Sequence, residues 1–318
     1  MSKRLLNRAF LRAAARRLLV LLATVFLVLT LSFFCAYHLP GDPARLILGP
    51  RATTAAIQQF RHQAGLDQPV PLQYLRFLER LLSMDLGDSL AQHRSVAELI
   101  RERTPDTVGL VSGAAIMLVL FSFVVPILLR LLRADRLRHG HQVFWTSLAV
   151  APPYVLAVLF LILFAGWLEW VHAIFNPGQL SAWILPCLVL TAYPTALVLK
   201  LFESEIGRVL DSGYVARARA YGFSPGSILV SETLPNALAA ALAALANGVA
   251  SFVTGTFFVE MVFGVPGLGS LTYDAIRNND FPLLLPLCLI FALSIAGISA
   301  LLDLTQLAIN PRLSSAHE

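Results

Sequence analysis

Six long runs of apolar residues dominate the hydrophobic pattern of this chain. Each run holds roughly 20 residues, the length of helix that crosses the hydrocarbon core of a bilayer. Because an open chain in lipid satisfies its backbone groups only as a helix, each run predicts a transmembrane helix. The runs lie at 18–38, 108–129, 144–166, 183–200, 237–259 and 283–303. The pattern therefore predicts an all-α polytopic membrane protein with six transmembrane helices.

Polar segments between the runs divide the chain into four parts. Residues 1–38 form an N-terminal segment with the first helix, 39–107 a large external loop, 108–309 a five-helix core, and 310–318 a tail. The external loop contains Pro71–Leu82, whose apolar residues recur at helical spacing, so we expect a helical cap there. A signal peptide is the alternative for the first run. Its length and the lack of a clean A-x-A site favour an uncleaved anchor.

Composition and charge support the membrane assignment and orient it. Of the 318 residues, 57% are hydrophobic and 14% charged, whereas soluble domains are about a quarter charged. The net charge of +5 is spread over the ends of the runs, which argues against a nucleic-acid surface. Basic clusters at 3–17, 130–138 and 208–219 predict cytoplasmic segments by the positive-inside rule. Both termini are then cytoplasmic.

The sequence holds no recognisable energy source of its own. Its two lysines, Lys3 and Lys200, neither follow glycine nor precede serine or threonine, which excludes a phosphate-binding P-loop. Ion-coupled carriers place ionisable residues in the middle of their helices. Here the acidic residues closest to the runs lie near predicted helix ends. The energy for any transport therefore comes from another chain, and a free-standing channel or secondary carrier is the alternative.

The predicted cytoplasmic loop 201–236 has the features of a docking element. Asp211 or Ser212 is placed to begin a short helix, and Gly222 is placed to end it. Ser224 then precedes Pro225, the order expected at the start of a second helix. Two short helices joined by a glycine suit a partner's groove. An amphipathic loop resting on the membrane surface is the alternative.

The fifth run supplies the best candidates for contact with a transported solute. It is rich in alanine and glycine, which favours close helix packing over solute binding as the role of most of its residues. Asn247 and Thr254 are its candidates for the pathway, because amide or hydroxyl groups facing lipid are costly.

Other residues with reactive side chains suggest neither catalysis nor metal binding. The three cysteines lie far apart inside apolar runs and are expected to be buried hydrophobes. His139 and His141 lie in a basic loop, where solvated side chains are the expectation. The glycine-rich segment 264–269 follows no strand, so it is expected to form a tight external re-entrant turn. We therefore expect no catalytic residue, no metal site and no cofactor bound by this chain.

Several motifs, taken in order, resemble those of a known family. Ala218, Gly222, Leu234 and Pro235 match the spacing of the EAA signature of bacterial ATP-binding-cassette (ABC) importer permeases. The remaining motifs are Leu39-Pro40-Gly41-Asp42-Pro43-Ala44, Leu66-Asp67-Gln68-Pro69, Asp85-Leu86-Gly87-Asp88-Ser89, Ile100-Arg101-Glu102-Arg103-Thr104-Pro105, Val262 to Gly269, Asp280-Phe281-Pro282 and Asn310-Pro311-Arg312. From about residue 16 to 313, the chain resembles the B-type permease subunit of the dipeptide/oligopeptide/nickel family.

The resemblance implies a type I importer permease in the bacterial inner membrane. It implies three kinds of partner besides lipid and no nucleic acid: a second, C-type permease, two ATP-binding subunits that hold ATP and Mg, and an external solute-binding protein. This chain would form half of the pathway for peptides or related small solutes; a nickel or metal-chelate importer is the alternative. The residues implied in coupling to the ATPase are Tyr214, Ala218, Arg219, Gly222, Leu234 and Pro235.

The signature also departs from the family pattern. Ala216-Arg217 stands where the pattern begins Glu-Ala, Tyr221 occupies a position that is often basic, and Ser231-Glu232 replaces a common basic pair. These changes retain the docking helix but alter its charge. We therefore expect the matching ATPase groove to be less acidic than usual.

Overall fold

The computed structural model describes residues 3–38, 43–49, 51–63, 65–83, 85–170 and 175–309. Within these ranges every regular element is a helix, with no strand and a single isolated bridge between Asp88 and Ser95. The 39–42 part of the first loop motif and the tail 310–318 lie outside the described residues. The chain is thus an all-α protein, as the hydrophobic pattern predicts.

Fourteen α-helices and three π-helical turns follow one another along the described chain. The helices before the first spanning core are α1 (Lys3–His38), α2 (Pro43–Leu48), α3 (Thr54–Gln63) and α4 (Val70–Leu82). The core contains α5 (Val96–Val119), a π-turn (Leu120–Val124), α6 (Val125–Leu131), α7 (Asp135–Leu148), α8 (Pro153–Phe160), a π-turn (Leu161–Trp167) and α9 (Leu180–Leu210). The remainder contains α10 (Gly213–Ala220), α11 (Pro225–Ser227), a π-turn (Ile228–Thr233), α12 (Leu234–Phe263), α13 (Leu268–Arg277) and α14 (Phe281–Ile309).

Among the described residues, four helices are long and apolar enough to span a membrane. They are Val96–Leu131, Leu180–Leu210, Ala244–Phe263 and Phe281–Ala300. A bent helix pair supplies a fifth candidate, and a shorter apolar stretch, Leu18–Phe34, lies within α1. These elements cover the six predicted runs. The second spanning helix begins at Val96, inside the segment predicted to be an external loop.

The third predicted span, 144–166, is a bent pair of helices in the structure. The chain bends by 106° between Asp135–Leu148 and Pro153–Trp167. Pro152 and Pro153 cause the break, because a proline lacks an N–H and forces the preceding residue out of the helical region. Pro152 accordingly has ψ 144°. Hydropathy predicts the run but not this bend, because the apolar composition carries no information about the direction of the chain.

α12 lies in the centre of the core and packs along α9. Its glycines permit the close approach: a Cβ on Gly255 would lie 2.5 Å from Leu190 Cδ1, and one on Gly248 would lie 3.2 Å from Leu118 and Pro194. A methyl group at Gly255 would force the Leu190 side chain to shift, and one at Gly248 would require its neighbours to give way by a few tenths of an ångström. The small residues of the fifth run therefore serve helix packing, as their composition predicts.

A histidine hydrogen bond stabilises the π-turn between α5 and α6. Pro126 has no N–H to offer the carbonyl of Phe121, five residues earlier in the π-helical pattern. The Nε2 atom of His141 lies 2.8 Å from that carbonyl oxygen instead. The expectation that both histidines are merely solvated is therefore wrong for half-buried His141, whereas His139 is exposed.

An ion pair joins the C-terminal end of α6 to the C-terminal part of α9. Arg130 is bonded to Glu203, and the two side chains are only 17% and 11% exposed. Arg138 of α7 approaches the same carboxylate at 4.0 Å. Three helices are thus held together at the end of the molecule where α9 leads into α10.

Candidate functional site

The segment between α9 and α12 folds as two short helices, starting at Ser212. Ser212 has the extended backbone of an N-cap residue, with φ −73° and ψ 150°. Its hydroxyl does not cap α10, however; it donates to the carbonyl oxygen of Val209 at 2.6 Å. Asp211 instead ends α9. The predicted start of the helix is therefore at the right residue, but its side-chain bond is made to the preceding helix.

Gly222 ends α10 in the left-handed conformation that glycine adopts most easily. Its φ is +84°. The N–H of Phe223 donates to Ala218 at 3.2 Å, and the N–H of Gly222 donates to Arg219 at 3.0 Å. This pattern satisfies carbonyl groups that the helix end would leave free. A Cβ at Gly222 would meet no atom within 4 Å, so the backbone angle, and not space, favours glycine.

The second short helix begins as its sequence predicts. Ser224 is the N-cap residue of α11, and its Oγ accepts a hydrogen bond from the N–H of Ser227 at 3.3 Å. Beneath the turn, Val209, Val215 and Ile228 form a small buried cluster. This cluster fixes α10 and α11 against the end of α9.

The outer side of this turn carries a group of exposed aromatic residues. Tyr221 is 82% exposed, Phe223 57% and Tyr214 39%. Arg217 lies among them and is also exposed. We call Tyr214, Arg217, Tyr221, Gly222 and Phe223 the docking surface. Aromatic and arginine side chains are the residues most often found at the energetic centres of protein interfaces.

The other predicted coupling residues lie around this surface in different environments. Ala218 is half-buried and packs on the cluster below it. The Arg219 guanidinium donates to the Leu210 carbonyl at 3.3 Å, which ties α10 to α9. Leu234 packs against the main core, whereas Pro235 is exposed in the first turn of α12. Tyr214 and Gly222 thus belong to the docking surface and Ala218 and Arg219 support the turn, whereas Leu234 and Pro235 lie at the start of α12.

Asn247 and Thr254, the pathway candidates, are both exposed on α12. A spacing of seven residues places them on one side of the helix. The Thr254 hydroxyl donates to the Ser251 carbonyl at 2.9 Å. Thr254 also lines an open pocket of about 260 Å³ with Phe257, Phe258 and residues of α13 and α14. The pocket is almost entirely apolar.

A buried carboxylate at the far end of α12 was not identified from the sequence. Glu260 is fully buried. One oxygen accepts a hydrogen bond from the Thr107 hydroxyl at 2.7 Å, and the other accepts from the N–H groups of Gly269 at 2.6 Å and Ser270 at 3.1 Å. Thr107 in turn accepts from the N–H of Leu268 at 2.7 Å. We call this group the Glu260 clamp; it joins α5, α12 and the start of α13.

The glycines of segment 264–269 are explained by this clamp. A Cβ on Gly267 would lie 2.4 Å from the Glu260 carboxyl group, and one on Gly269 would lie 2.7 Å from Phe257 Cα. The segment is therefore a tight turn, because backbone N–H groups must reach a buried carboxylate. Gly264, with φ +68°, ends α12 just before it.

Replacing Gly269 with alanine should destabilise the protein, because its methyl group would meet the backbone of α12. Overpacking of this kind costs about 1–3 kcal/mol. Gly297→Ala is the control, since a Cβ there meets no atom within 4 Å. Thermal unfolding of the purified assembly should begin at a lower temperature for Gly269→Ala only. Equal midpoints for the two variants would contradict the close packing at α13.

A second buried carboxylate, Asp280, links the loop before α5 to α14. It accepts hydrogen bonds from the Ser89 hydroxyl and from the N–H groups of Leu90 at 3.2 Å and Ala91 at 3.1 Å. It also accepts from the N–H of Leu283 at 3.3 Å in the first turn of α14. Ser89 and Asp280 belong to two separate motifs of the sequence. The structure brings those motifs into direct contact.

The described residues contain no group of three or more histidine, cysteine, aspartate or glutamate side chains placed to hold a metal ion. Glu260 and Asp280 are instead occupied by backbone N–H and hydroxyl donors of the chain itself. The hydrogen bonds of both carboxylates therefore connect separate segments of the chain to one another.

Comparison with family models gives two matches that together cover most of the chain. Residues 133–315 match the model described as "Binding-protein-dependent transport system inner membrane component". Residues 10–112 match the N-terminal model of the same transport-system membrane components. The first match includes the docking surface and Glu260, and the second includes Thr107, the partner of Glu260 in the clamp.

Individual relatives and one solved structure agree with this assignment. The glutathione transport system permease protein of Salmonella paratyphi A is 33% identical over 302 residues, covering 93% of this chain and 96% of the relative. The corresponding protein of Escherichia coli (strain K12) is 32% identical over 299 residues, with the same coverage. A crystal structure of an amino acid ABC transporter aligns with a TM-score of 0.53 at 17% identity, covering 66% of this chain and 94% of that one. The structural match supports the fold alone.

Proposed function

This chain belongs to the family of binding-protein-dependent transport system inner membrane components, and we propose that its docking surface is where a separate ATPase subunit drives it. The chain is a permease subunit of an ABC importer, as its family and its relatives show. The exposed aromatic turn between two spanning helices supports this role. Tyr221 and Phe223 remain exposed there while the cluster beneath them is buried.

The geometry of the turn suits the transmission of movement. α11 leads through a short π-turn directly into α12, which runs unbroken from Leu234 to Phe263. The other end of α12 is bound by the Glu260 clamp to α5 and α13. A partner that displaces the docking surface therefore acts on one end of a helix whose far end is fixed to two others. The proposed role of this chain is to convert that displacement into opening and closing.

The sequence of the chain indicates which subunit would bind ATP. Neither of its two lysines has the context of a P-loop, so ATP and Mg would be held by the partner. An ABC importer permease works with ATPase and solute-binding partners. The finer proposal is one C-type permease beside this chain, two ATP-binding subunits on the cytoplasmic side, and a solute-binding protein outside. Both termini would then be cytoplasmic.

A peptide-like solute is the proposed substrate class. The relatives at 32–33% identity are glutathione transport permeases, and glutathione is a small peptide. Their names favour a peptide-type importer over the nickel or metal-chelate alternative. Asn247 and Thr254 remain the proposed pathway residues, since both are exposed on one side of α12. Family membership disfavours a free-standing channel or secondary carrier.

Truncating the exposed aromatic residues should weaken binding of the ATPase. We expect Tyr221→Ala or Phe223→Ala to cost about 2 kcal/mol, roughly a thirtyfold loss of affinity, because exposed aromatics of this kind are typical interface anchors. Trp170→Ala is the control: Trp170 is 71% exposed but precedes the opposite end of α9. Binding is measured by titrating purified ATP-binding subunit onto the permease pair in nanodiscs. Wild-type affinity in both docking-surface variants would overturn the proposal.

A further inference from the structure

Helix α4 has three distinct sides. One side packs on the protein through Val70, Tyr74 and Phe77, which adjoin Phe33 of α1 and Leu285 of α14. None of the residues of α4 is fully buried, so the contact is along one side only. The arrangement leaves most of the helix circumference open to its surroundings.

The packed side fixes the depth of α4 relative to the membrane. The Tyr74 hydroxyl is hydrogen-bonded to the Thr30 hydroxyl at 2.7 Å. The ring of Phe77 stacks on Phe33, with centroids 5.8 Å apart. Thr30 and Phe33 lie within the apolar stretch Leu18–Phe34, and Leu285 lies within the spanning helix Phe281–Ala300. α4 therefore lies level with the last turns of the apolar stretch of α1 and with the first turns of α14.

Beside the packed side, α4 carries an apolar flank. Leu75 and Leu82, one heptad apart, are 59% and 85% exposed, and half-buried Leu78 lies between them. Arg76 and Arg80 lie on the other side of the helix from this flank, at the angles set by 3.6 residues per turn. Arg80 is nearly opposite Leu82. Around its axis, the helix thus has one side packed on the protein, then an apolar side, then a charged side.

We propose that α4 is an interfacial helix that lies in the membrane boundary and inserts Leu75, Leu78 and Leu82 into the lipid. The partner is the bilayer itself. Tyr74, next to Leu75, is bonded to Thr30 of α1, and the apolar side chains on either side of Thr30 also remain open: Leu27 and Leu31 are 57% and 55% exposed. An apolar flank next to a charged side is the arrangement that places a helix in the plane of the interface. α4 then braces α1 against α14 from the lipid side.

Spin-label accessibility tests this proposal directly. Single cysteines replace Leu75, Leu82 or Arg80 in a chain whose three native cysteines are changed to alanine, and the labelled assembly is placed in nanodiscs. Molecular oxygen concentrates in lipid, whereas a charged nickel chelate stays in water. We expect the ratio of oxygen to nickel collision rates to be several-fold higher for L75C and L82C than for R80C. An equal ratio at the three positions would overturn the proposal.

Two further outcomes separate lipid from a protein partner. If the labels at 75 and 82 are accessible to the nickel chelate until the solute-binding protein is added, the flank is a protein-docking surface and the proposal is wrong. If a cysteine variant fails to assemble, a second measurement on the unsubstituted protein still tests lipid contact. A lipid with a photoreactive diazirine below its headgroup should label the peptide containing 70–82; absence of label on that peptide would also contradict lipid contact.

Discussion

Gly222→Asp is expected to abolish uptake while membrane insertion stays intact. Gly222 has φ +84°, so any side chain there carries backbone strain of about 1 kcal/mol. The new carboxylate would also stand between Tyr221 and Phe223, where a partner must exclude water. An unpaired charge in the middle of an interface costs about 3 kcal/mol, roughly a hundredfold in affinity. Loss of docking separates the permease from its energy source.

Uptake of labelled solute by cells expressing the variant measures this effect. Gly140→Asp is the matched control: it adds the same charge at an exposed glycine of α7 where a Cβ meets no atom within 4 Å. Both variants should reach the membrane at wild-type levels, and only Gly222→Asp should fail to transport. Wild-type uptake by Gly222→Asp would show that this turn does not couple the chain to an ATPase.

Glu260→Ala is expected to cause the largest loss of stability. The substitution leaves the N–H groups of Gly269 and Ser270 and the Thr107 hydroxyl without their acceptor around a side chain that is fully buried. Each unsatisfied buried group costs about 1–3 kcal/mol, so the total is about 3 kcal/mol or more. The start of α13 would be held to α12 less firmly, because the hydrogen bonds from Gly269 and Ser270 to the carboxylate are lost.

Glu260→Gln distinguishes lost hydrogen bonds from lost packing. Glutamine keeps the shape of the side chain and one of its acceptor oxygens, so this variant should be clearly more stable than Glu260→Ala. Thermal unfolding of the purified assembly, followed by loss of soluble complex in detergent, gives the order wild type, Gln, Ala. An alanine variant as stable as wild type would contradict a clamp that holds three helices.

Local features of the chain were predictable where the cause lies within a few residues. Gly222 ends α10 because its backbone adopts a positive φ angle. Ser224 begins α11 because its hydroxyl accepts a hydrogen bond from Ser227, three residues later. The apolar runs similarly identify their helices, because lipid leaves the backbone no other open structure. The aromatic character of the docking surface is present in the sequence, but its exposure is set by the cluster beneath it.

The remaining features depend on contacts between residues far apart in the chain or on the direction in which a helix runs. Neither can be read from a single sequence. Glu260 looked like a residue near a helix end, and its role arises from Thr107, 153 positions earlier. Asp280 likewise meets Ser89 across 191 positions. The 106° bend before Pro153 leaves the apolar run unchanged in composition. His141 bonds to a carbonyl freed by a proline on another helix.

Under the proposed function, this chain is half of a pathway powered by another subunit. The most direct measurement is solute uptake into proteoliposomes that contain either this chain alone or its assembly with the second permease, the ATP-binding subunits and the solute-binding protein. We expect uptake only by the complete assembly, and only when ATP and Mg are present in the compartment that the docking surface faces. Uptake by the chain alone, or uptake by the assembly that does not depend on ATP, would contradict it.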